Sequence, residues 1–372
     1  MKKAKRILPI LLCMALLLSL PVGAANVIYN ELPIVPPHSH TYVYTDNGNG
    51  THTVTCTGCD YSETVSHTYA NGVCVCGSRE TVERPKIISA APSIDENVNL
   101  VFTVSVPAGY SDPYMVFSFH GTSTTVRDYT TDSGKLKFTF DDITPQCMGD
   151  TISATLYASK NGTQESDSVA SYSVRSYCVN MLARTGNEAI STSLRRLLSD
   201  LLAYGAAAQT YTNYKTDALV TAGSDIRNTD YGTYETLSGL APVFDGTAAS
   251  DVYWTAASLT LTSSVAMNFR FHADSVQGLT VYVDTTGRTQ TYTSFTSLGS
   301  GLYEISFTDI NADEFGSTVT ATFKRDSKQL GNTVSYSVNT YIQSKQADSN
   351  AALAALVKAL YNYGVSAKAY VG

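Results

Sequence analysis

Short alternating runs of apolar and polar residues, separated by Gly, Asp, Asn and Pro, occur in two series along this chain, in residues 86–214 and 253–372. Alternation with a period of two is typical of half-buried strands, and regular spacing with turn residues between runs is typical of a β-sandwich. The sequence therefore predicts two tandem immunoglobulin-like β-sandwich modules in a mainly β protein. The predicted strands lie near 87–91, 98–106, 114–119, 125–130, 135–140, 151–158 and 168–174, with counterparts near 257–262, 265–272, 279–284, 289–295, 302–307, 318–324 and 333–338.

Each series ends in a pattern with helical period, which predicts a C-terminal helical hairpin after each sandwich. A short helix is expected to begin near Val174 in the first module and near Val338 in the second. A long helix follows, and we expect its apolar and small face to be a core stripe rather than a membrane surface. The face comprises Leu194, Leu197, Leu198, Leu201, Tyr204, Gly205, Ala208 and Tyr211, matched by Leu353, Leu356, Val357, Leu360, Tyr363, Gly364, Ala367 and Tyr370.

The two modules share sequence as well as pattern. Residues 140–156 align without gaps on residues 307–323, and a one-turn helix is predicted within both segments. The positions kept in both copies are apolar, glycine and tyrosine positions, and the only carboxylate kept in the aligned stretches is Asp142, matched by Asp309. A duplicated active site would retain reactive groups, so we predict that the protein is not an enzyme.

The N-terminus has the order of a secretory signal peptide: four basic residues, an apolar run and small residues, which predicts cleavage after residues 1–25. Loss of those four basic residues and of no acid changes the net charge from −7 to −11. An acidic mature chain lacks the basic footprint that nucleic acid requires. We expect a secreted protein, either released or associated with the cell surface, with no membrane span after cleavage, and linkers at 26–37 and 215–252.

A small His/Cys-rich domain is predicted at 38–77, built from two half-repeats that each contain His-Thr-Tyr followed by a close cysteine pair. Two cysteine pairs supply the four soft ligands that a tetrahedral zinc ion accepts, which predicts one structural, zinc-ribbon-like site. Disulfides are the alternative, because secretion exposes thiols to oxidising conditions. The candidate metal ligands are Cys56, Cys59, Cys74, Cys76, His40 and His67.

Two further cysteines, Cys147 and Cys178, lie in the first module only, where the second module has Glu314 and Ile342. Their joint replacement is compatible with a disulfide between the one-turn helix and the first terminal helix. Two free buried thiols are the alternative.

The run from His40 to Gly77 resembles short His/Cys repeats of secreted and surface proteins from Gram-positive gut anaerobes, and the two Tyr-Gly-x-x-Ala-x-x-Tyr helices resemble uncharacterised modules from the same setting. The resemblance covers most of the mature chain. It implies a location and an architecture, and no activity.

Export, duplication and the lack of shared reactive groups together predict a non-catalytic secreted or cell-surface binding and adhesion protein. Its partner is expected to be a host or bacterial protein or glycan, recognised through tyrosine rings or an edge strand. A structural spacer in an envelope assembly is one alternative. A secreted hydrolase is the other, with Asp217, Asp225, Asp230 and Glu235 available in the connection.

Overall fold

The structure is a computed structural model that describes residues 39–93, 98–221, 237–261 and 265–372. The predicted signal peptide and the linker at 26–37 lie outside these residues. The chain divides into two compact units, residues 1–82 and residues 83–372, called unit 1 and unit 2 below. The described chain is mainly β, with several antiparallel sheets and four α-helices.

Unit 1 contains a three-stranded antiparallel sheet in the order β1-β2-β3 and a two-stranded hairpin of β4 and β5. Its described part has four buried residues: His52, Val54, Cys56 and Cys74. Val54 is the only buried apolar residue among them that is not a cysteine, so this unit has almost no hydrophobic core. The strands are Tyr42–Asp46 (β1), Thr51–Cys56 (β2), Ser62–Ser66 (β3), Tyr69–Ala70 (β4) and Val73–Cys74 (β5).

Unit 2 begins with two four-stranded antiparallel sheets, in the orders β10-β11-β7-β6 and β13-β12-β8-β9. Their apolar sides contact one another, because the ring of Phe117 in β8 lies 5.1 Å from that of Phe102 in β7 and 5.1 Å from that of Phe140 in β11. The strands are Lys86–Ser93 (β6), Asn99–Ser105 (β7), Ser111–Phe119 (β8), Thr122–Val126 (β9), Thr130–Asp132 (β10), Lys135–Phe140 (β11), Ile152–Lys160 (β12) and Thr163–Tyr172 (β13).

The second half of unit 2 repeats this strand order, in the sheets β19-β20-β16-β15 and β22-β21-β17-β18, and adds β14 beside β22. The indole of Trp254 in β15 stacks on Phe323 in β21 at 4.1 Å, which joins the two sheets. The strands are Val243–Asp245 (β14), Val252–Thr260 (β15), Ala266–Ala273 (β16), Leu279–Thr285 (β17), Arg288–Tyr292 (β18), Thr296–Gly299 (β19), Leu302–Phe307 (β20), Val319–Arg325 (β21) and Lys328–Tyr336 (β22).

Within the described residues, and apart from the added β14, each repeat has eight strands where the sequence predicts seven. The runs predicted near 125–130 and 289–295 are each divided in two, because the chain there leaves one sheet and joins the other. Thus β9 pairs with β8 in one sheet, whereas β10 pairs with β11 in the other. The predicted one-turn helices are present as 3-10 turns at Pro145–Cys147 and Ala312–Glu314.

The two short helices begin at Val174 and Val338, as the sequence predicts, and each is followed by a long helix, which makes four helices in the described residues. They are Val174–Leu182 (α1), Thr192–Thr212 (α2), Val338–Lys345 (α3) and Ala351–Val371 (α4). The serines that precede α1, α2 and α3 accept a hydrogen bond from the first-turn backbone, and Asn350 does the same for α4.

The long helices α2 and α4 pack on each other, so each repeat's terminal helix finds its partner in the other repeat. Tyr204 of α2 stacks on Tyr363 of α4, with ring centres 5.9 Å apart and planes within 6°. The adjacent glycines face the 3-10 turns: a Cβ on Gly205 would lie 3.1 Å from the Pro145 carbonyl oxygen, and one on Gly364 would lie 2.7 Å from Phe315 Cδ2. The shared Tyr-Gly pair therefore serves packing.

The segment 215–252, expected to be a plain linker, contributes to the fold at both ends. Val220 is fully buried, and its backbone N–H donates to Gln209 Oε1 of α2 at 2.7 Å. Further along, β14 extends the sheet of the second repeat by pairing with β22. Three of the four acidic residues considered for a hydrolase, Asp225, Asp230 and Glu235, lie outside the described residues.

Candidate metal centre

Strand β2 of unit 1 carries potential metal ligands at both of its ends. Its sequence alternates Thr with His52, Val54 and Cys56, and these three side chains are buried on one face. Because a strand rises about 3.3 Å per residue, His52 and Cys56 lie about 13 Å apart and cannot bind the same ion. The strand therefore divides the histidines and cysteines of unit 1 between two places.

The first place, called the closed group, comprises His52, His67, Cys74 and Cys76, whose ligand atoms all lie within 4.8 Å of one another. Cys74 Sγ lies 3.5 Å from His52 Nδ1, and Cys76 Sγ lies 3.6 Å from His67 Nε2. Cys74 is the last residue of β5, and the turn that follows places Cys76 beside it. Two imidazole nitrogens and two sulfurs complete a tetrahedral ligand set.

The second place, called the open group, comprises His40, Cys56 and Cys59. His40 Nδ1 lies 3.4 Å from Cys56 Sγ and 3.7 Å from Cys59 Sγ. Cys56 is buried at the end of β2, whereas His40 and Cys59 are exposed. The described residues supply three ligand atoms here, compared with four in the closed group.

These distances fit a tetrahedral metal ion. Zinc bonds of about 2.3 Å to sulfur and about 2.0 Å to nitrogen separate the two ligand atoms by about 3.5 Å across a tetrahedron. Four of the six sulfur–nitrogen pairs in the two groups are 3.4 to 3.7 Å apart, and the other two pairs lie within 4.8 Å. None of the four described cysteines of unit 1 is in a disulfide. Both groups are thus arranged as ligand sets that could hold a metal ion.

The tyrosine of each His-Thr-Tyr motif supports the histidine two residues before it. His40 stacks on Tyr42 with ring centres 5.5 Å apart and planes within 1°. His67 faces Tyr69 through its other ring nitrogen, with Nδ1 3.0 Å from the tyrosine hydroxyl. Such contacts fix the orientation of a ligating imidazole, so the whole motif, and not only its histidine, builds the site.

The two sulfurs of the closed group differ in acidity. Burial by itself would raise the pKa of Cys74, but hydrogen bonds from the backbone and side chain of Cys76 outweigh burial and lower it. Burial and the neighbouring Cys74 raise the pKa of Cys76. Cys74 is thus the more acidic of the two sulfurs, and a metal ion would displace the protons from the pair.

The structure places all six predicted ligands, but in two groups rather than around one ion. Each cysteine pair stays with the histidine of its own half-repeat, because β2 holds the two pairs apart. His52 was not predicted and joins the closed group. The signal that could have identified it is the alternation in Thr51–Cys56, which puts His52 on the same face as Cys56.

Among the described residues of unit 2, a further cluster of reactive side chains is centred on the buried Asp150. His120 Nε2 lies 2.6 Å from Asp150 Oδ2, Tyr214 donates to the same oxygen at 2.5 Å, and Lys215 donates to Oδ1 at 2.7 Å. Burial would raise the pKa of Asp150, but these partners outweigh burial and lower it. The carboxylate is therefore held as the acceptor of an internal network.

Cys147 lies beside this network and, like Cys178, is a buried free thiol, which is the second of the two alternatives above. Burial raises the pKa of Cys147. The second repeat has an ion pair in the corresponding region, where Arg288 binds Glu314 at 2.5 Å and Asp309 at 3.1 Å. The two repeats thus differ in chemistry where they share backbone.

Comparison with known proteins provides no identity. No protein-family model matches the chain, and no curated protein matches it. Among solved structures, the chain is similar to pullulanase type I from Bacillus subtilis in complex with maltose, at 10% identity and a TM-score of 0.14, covering 68% of this chain and 25% of that one. A TM-score this low indicates neither a shared fold nor a shared activity. None of the described helices is both long and apolar enough to cross a membrane.

Proposed function

We propose that this chain is a non-catalytic secreted or cell-surface binding protein that presents its modules to a host or bacterial protein or glycan. The observation that carries the proposal is an exposed pair of tyrosines on unit 1, called the tyrosine patch: Tyr42 and Tyr61, which are 42% and 39% exposed with ring centres 5.7 Å apart. Large amphipathic rings held rigidly at a surface suit recognition of a protein or a sugar.

We further propose that zinc ions bind the two ligand groups of unit 1 and that their role is to stabilise this unit. Support comes from the tetrahedral spacing of its ligand atoms and from its minimal core, since a domain of about 40 residues usually requires metals or disulfides to fold. When bound, zinc would supply the cross-links that the apolar residues do not. The four-ligand closed group leaves no position for a substrate.

Unit 2 is proposed to form two immunoglobulin-like β-sandwiches, each followed by a helical hairpin. The shared strand order of the two repeats and the contacts between facing sheets support this architecture. Secretion is supported by the leader-like sequence of residues 1–25.

A non-catalytic role is supported by the residues that both repeats share, because these residues serve packing. Tyr204, Gly205, Tyr363 and Gly364 pack one element on another. The Asp150 cluster belongs to one repeat only, and Cys147 beside it has the raised pKa of an inert buried thiol. A hydrolase is therefore the weaker candidate.

The test is binding of the full chain, without an affinity tag, to glycan and host-protein arrays. Tyr42→Ser and Tyr61→Ser should each abolish or strongly weaken any wild-type signal. Tyr129→Ser is the matched control, because Tyr129 of unit 2 is 45% exposed but lies outside the tyrosine patch. Equal loss in all three variants, or no wild-type signal at all, would favour the spacer. Turnover of a polysaccharide or peptide would contradict the proposal outright.

A further inference from the structure

The two repeats of unit 2 differ in what lies between their 3-10 turn and their long helix. In the first repeat, the chain that follows α2 lies over this space, called the first groove, and Val220 is fully buried there. A Cβ on Gly205 of α2 would lie 2.9 Å from Val220 Cγ1, and one on Gly149 would lie 3.7 Å from Val220 Cβ. The two glycines thus make room for one branched apolar side chain.

One side chain of α2 binds the backbone of the same segment. Gln209 accepts a hydrogen bond from the Val220 N–H at 2.7 Å and donates one to the Ala218 carbonyl oxygen at 3.3 Å. Gln209 is itself buried. The segment 218–221 is therefore held in the manner of a bound peptide, with a pocket for one side chain and hydrogen bonds to the main chain.

The matching space in the second repeat, called the second groove, lies at the surface. Gly316 and Gly364 stand where the first repeat has Gly149 and Gly205, and a cavity of about 190 Å³ lies beside them. Gly316 is exposed, whereas Gly149 is half-buried. Among the described residues, no segment lies over the second groove as 218–221 lies over the first.

The second groove keeps apolar walls and has two charged side chains. Phe315 and Val365 line it, and Val365 is 36% exposed. Lys368 replaces Gln209 and is exposed, and Asp313 also lines the cavity. An ammonium group donates hydrogen bonds and a carboxylate accepts them, so this pair can bind a backbone carbonyl oxygen and a backbone N–H.

A neighbouring cavity of about 350 Å³ extends the second groove. The two cavities share Gly316 and Asn339, and the larger one is also lined by Val243 and Tyr336. The groove therefore has room for a segment of several residues rather than for a single side chain.

We propose that the second groove binds a short segment of a partner polypeptide, which places a branched apolar side chain beside Gly316 and Gly364 and its backbone against Lys368 and Asp313. The support is the first repeat, where segment 218–221 is bound on the matching groove in this way. The inference goes beyond the proposed function, because it requires neither metal in unit 1 nor the tyrosine patch.

The experiment titrates the full chain into a fluorescent peptide with the sequence of residues 216–221, Thr-Asp-Ala-Leu-Val-Thr, and follows fluorescence anisotropy. We expect saturable binding. A peptide with aspartate in place of the valine should bind at least tenfold more weakly, because a charge then enters the apolar pocket. No saturable binding by the wild-type chain, or equal binding of the two peptides, would overturn the proposal.

Variants assign the binding to the second groove. Val365→Glu should weaken binding at least tenfold, and Lys368→Glu, on an exposed position, by about threefold to tenfold. Ala355→Glu is the matched control, because it adds the same charge to an exposed position of the same helix. It should bind like the wild type, and so should Tyr42→Ser, which separates this inference from the tyrosine patch. Thermal unfolding confirms that each variant folds, and wild-type binding by folded Val365→Glu and Lys368→Glu would overturn the assignment.

Sedimentation of the wild-type chain at increasing concentration distinguishes a partner from a second copy of this chain. A monomer at every concentration supports a partner polypeptide. A dimer that Val365→Glu dissociates would overturn that choice and assign the groove to a second copy.

Discussion

Unit 1 and unit 2 differ in what fills their interiors. The described part of unit 1 buries one apolar residue other than cysteine, Val54, together with the potential metal ligands His52, Cys56 and Cys74. Unit 2 buries a continuous apolar set that includes Phe102, Phe117, Trp254 and Phe323. The comparison teaches that one chain uses two means of stabilisation. Polar ligands can replace a core only if an ion neutralises and connects them, whereas apolar contacts need no additional component.

Removal of the metal should produce the largest difference in stability between the two units. Chelation of the zinc-loaded protein is expected to unfold residues 39–82, because structural zinc contributes about 10–16 kcal/mol in small domains. Unit 2 should keep its own cooperative thermal transition. Circular dichroism and calorimetry with and without chelator measure this, and re-added zinc should restore the lost signal. If unit 1 stays folded without metal, the proposed means of stabilisation is wrong.

Truncation of a side chain between the packed helices should destabilise unit 2 and leave unit 1 unchanged. Tyr204→Ala removes a buried ring that stacks on Tyr363 and should destabilise unit 2 by about 3–5 kcal/mol. Tyr204→Phe is the control, because the buried hydroxyl has no hydrogen-bond partner among the described residues and its loss should be nearly neutral. Chemical denaturation gives both values. The metal content of unit 1 should be the same in both variants.

A smaller effect is expected from adding a single methyl group to the helix–turn contact. Gly364→Ala would place a Cβ 2.7 Å from Phe315 Cδ2 and 3.2 Å from the Ala312 carbonyl oxygen. We expect a loss of about 1–3 kcal/mol in the stability of unit 2. Ala355→Ser on the exposed side of the same helix is the control. A Gly364→Ala protein as stable as wild type would show that this close approach is not needed.

The smallest effect concerns pH. Burial raises the pKa of Asp200 in α2, although Arg196 Nε lies 3.6 Å from its carboxylate. A raised folded-state pKa gives stability that is present below the unfolded pKa of about 4 and is lost as pH rises through the folded pKa. Asp200→Asn should remove this loss and flatten the pH dependence. The difference at neutral pH should be about 1 kcal/mol or less, measured by denaturant titration at several pH values.

The sequence predicted most of the regular elements because their patterns are local. Helices α1 and α3 begin at Val174 and Val338, where the period of the apolar residues changes. The division of the runs near 125–130 and 289–295 could not be predicted, because one half pairs with the preceding strand and the other with the following strand, and only the tertiary structure puts these two hairpins in different sheets. The sequence also does not predict which element packs on the terminal helices, because an apolar stripe does not specify what covers it.

The candidate metal ligands, too, could be predicted only in part from the sequence. Their residue types and half-repeats are visible in the chain, and all six predicted side chains take part in the two groups. That they form two groups, and that His52 joins one of them, depends on the length of β2, which separates His52 from Cys56 by about 13 Å.

By itself, the sequence determined the duplication, the strand and helix periods and the chemistry of the His/Cys segment, because each of these is written in neighbouring residues. Only the tertiary structure decided which sulfur faces which imidazole and that Tyr204 meets Tyr363. It also decided that Gly205 and Gly364 serve close packing. These are contacts between residues far apart in the chain, and their geometry is set by how strands and helices stack rather than by local preference.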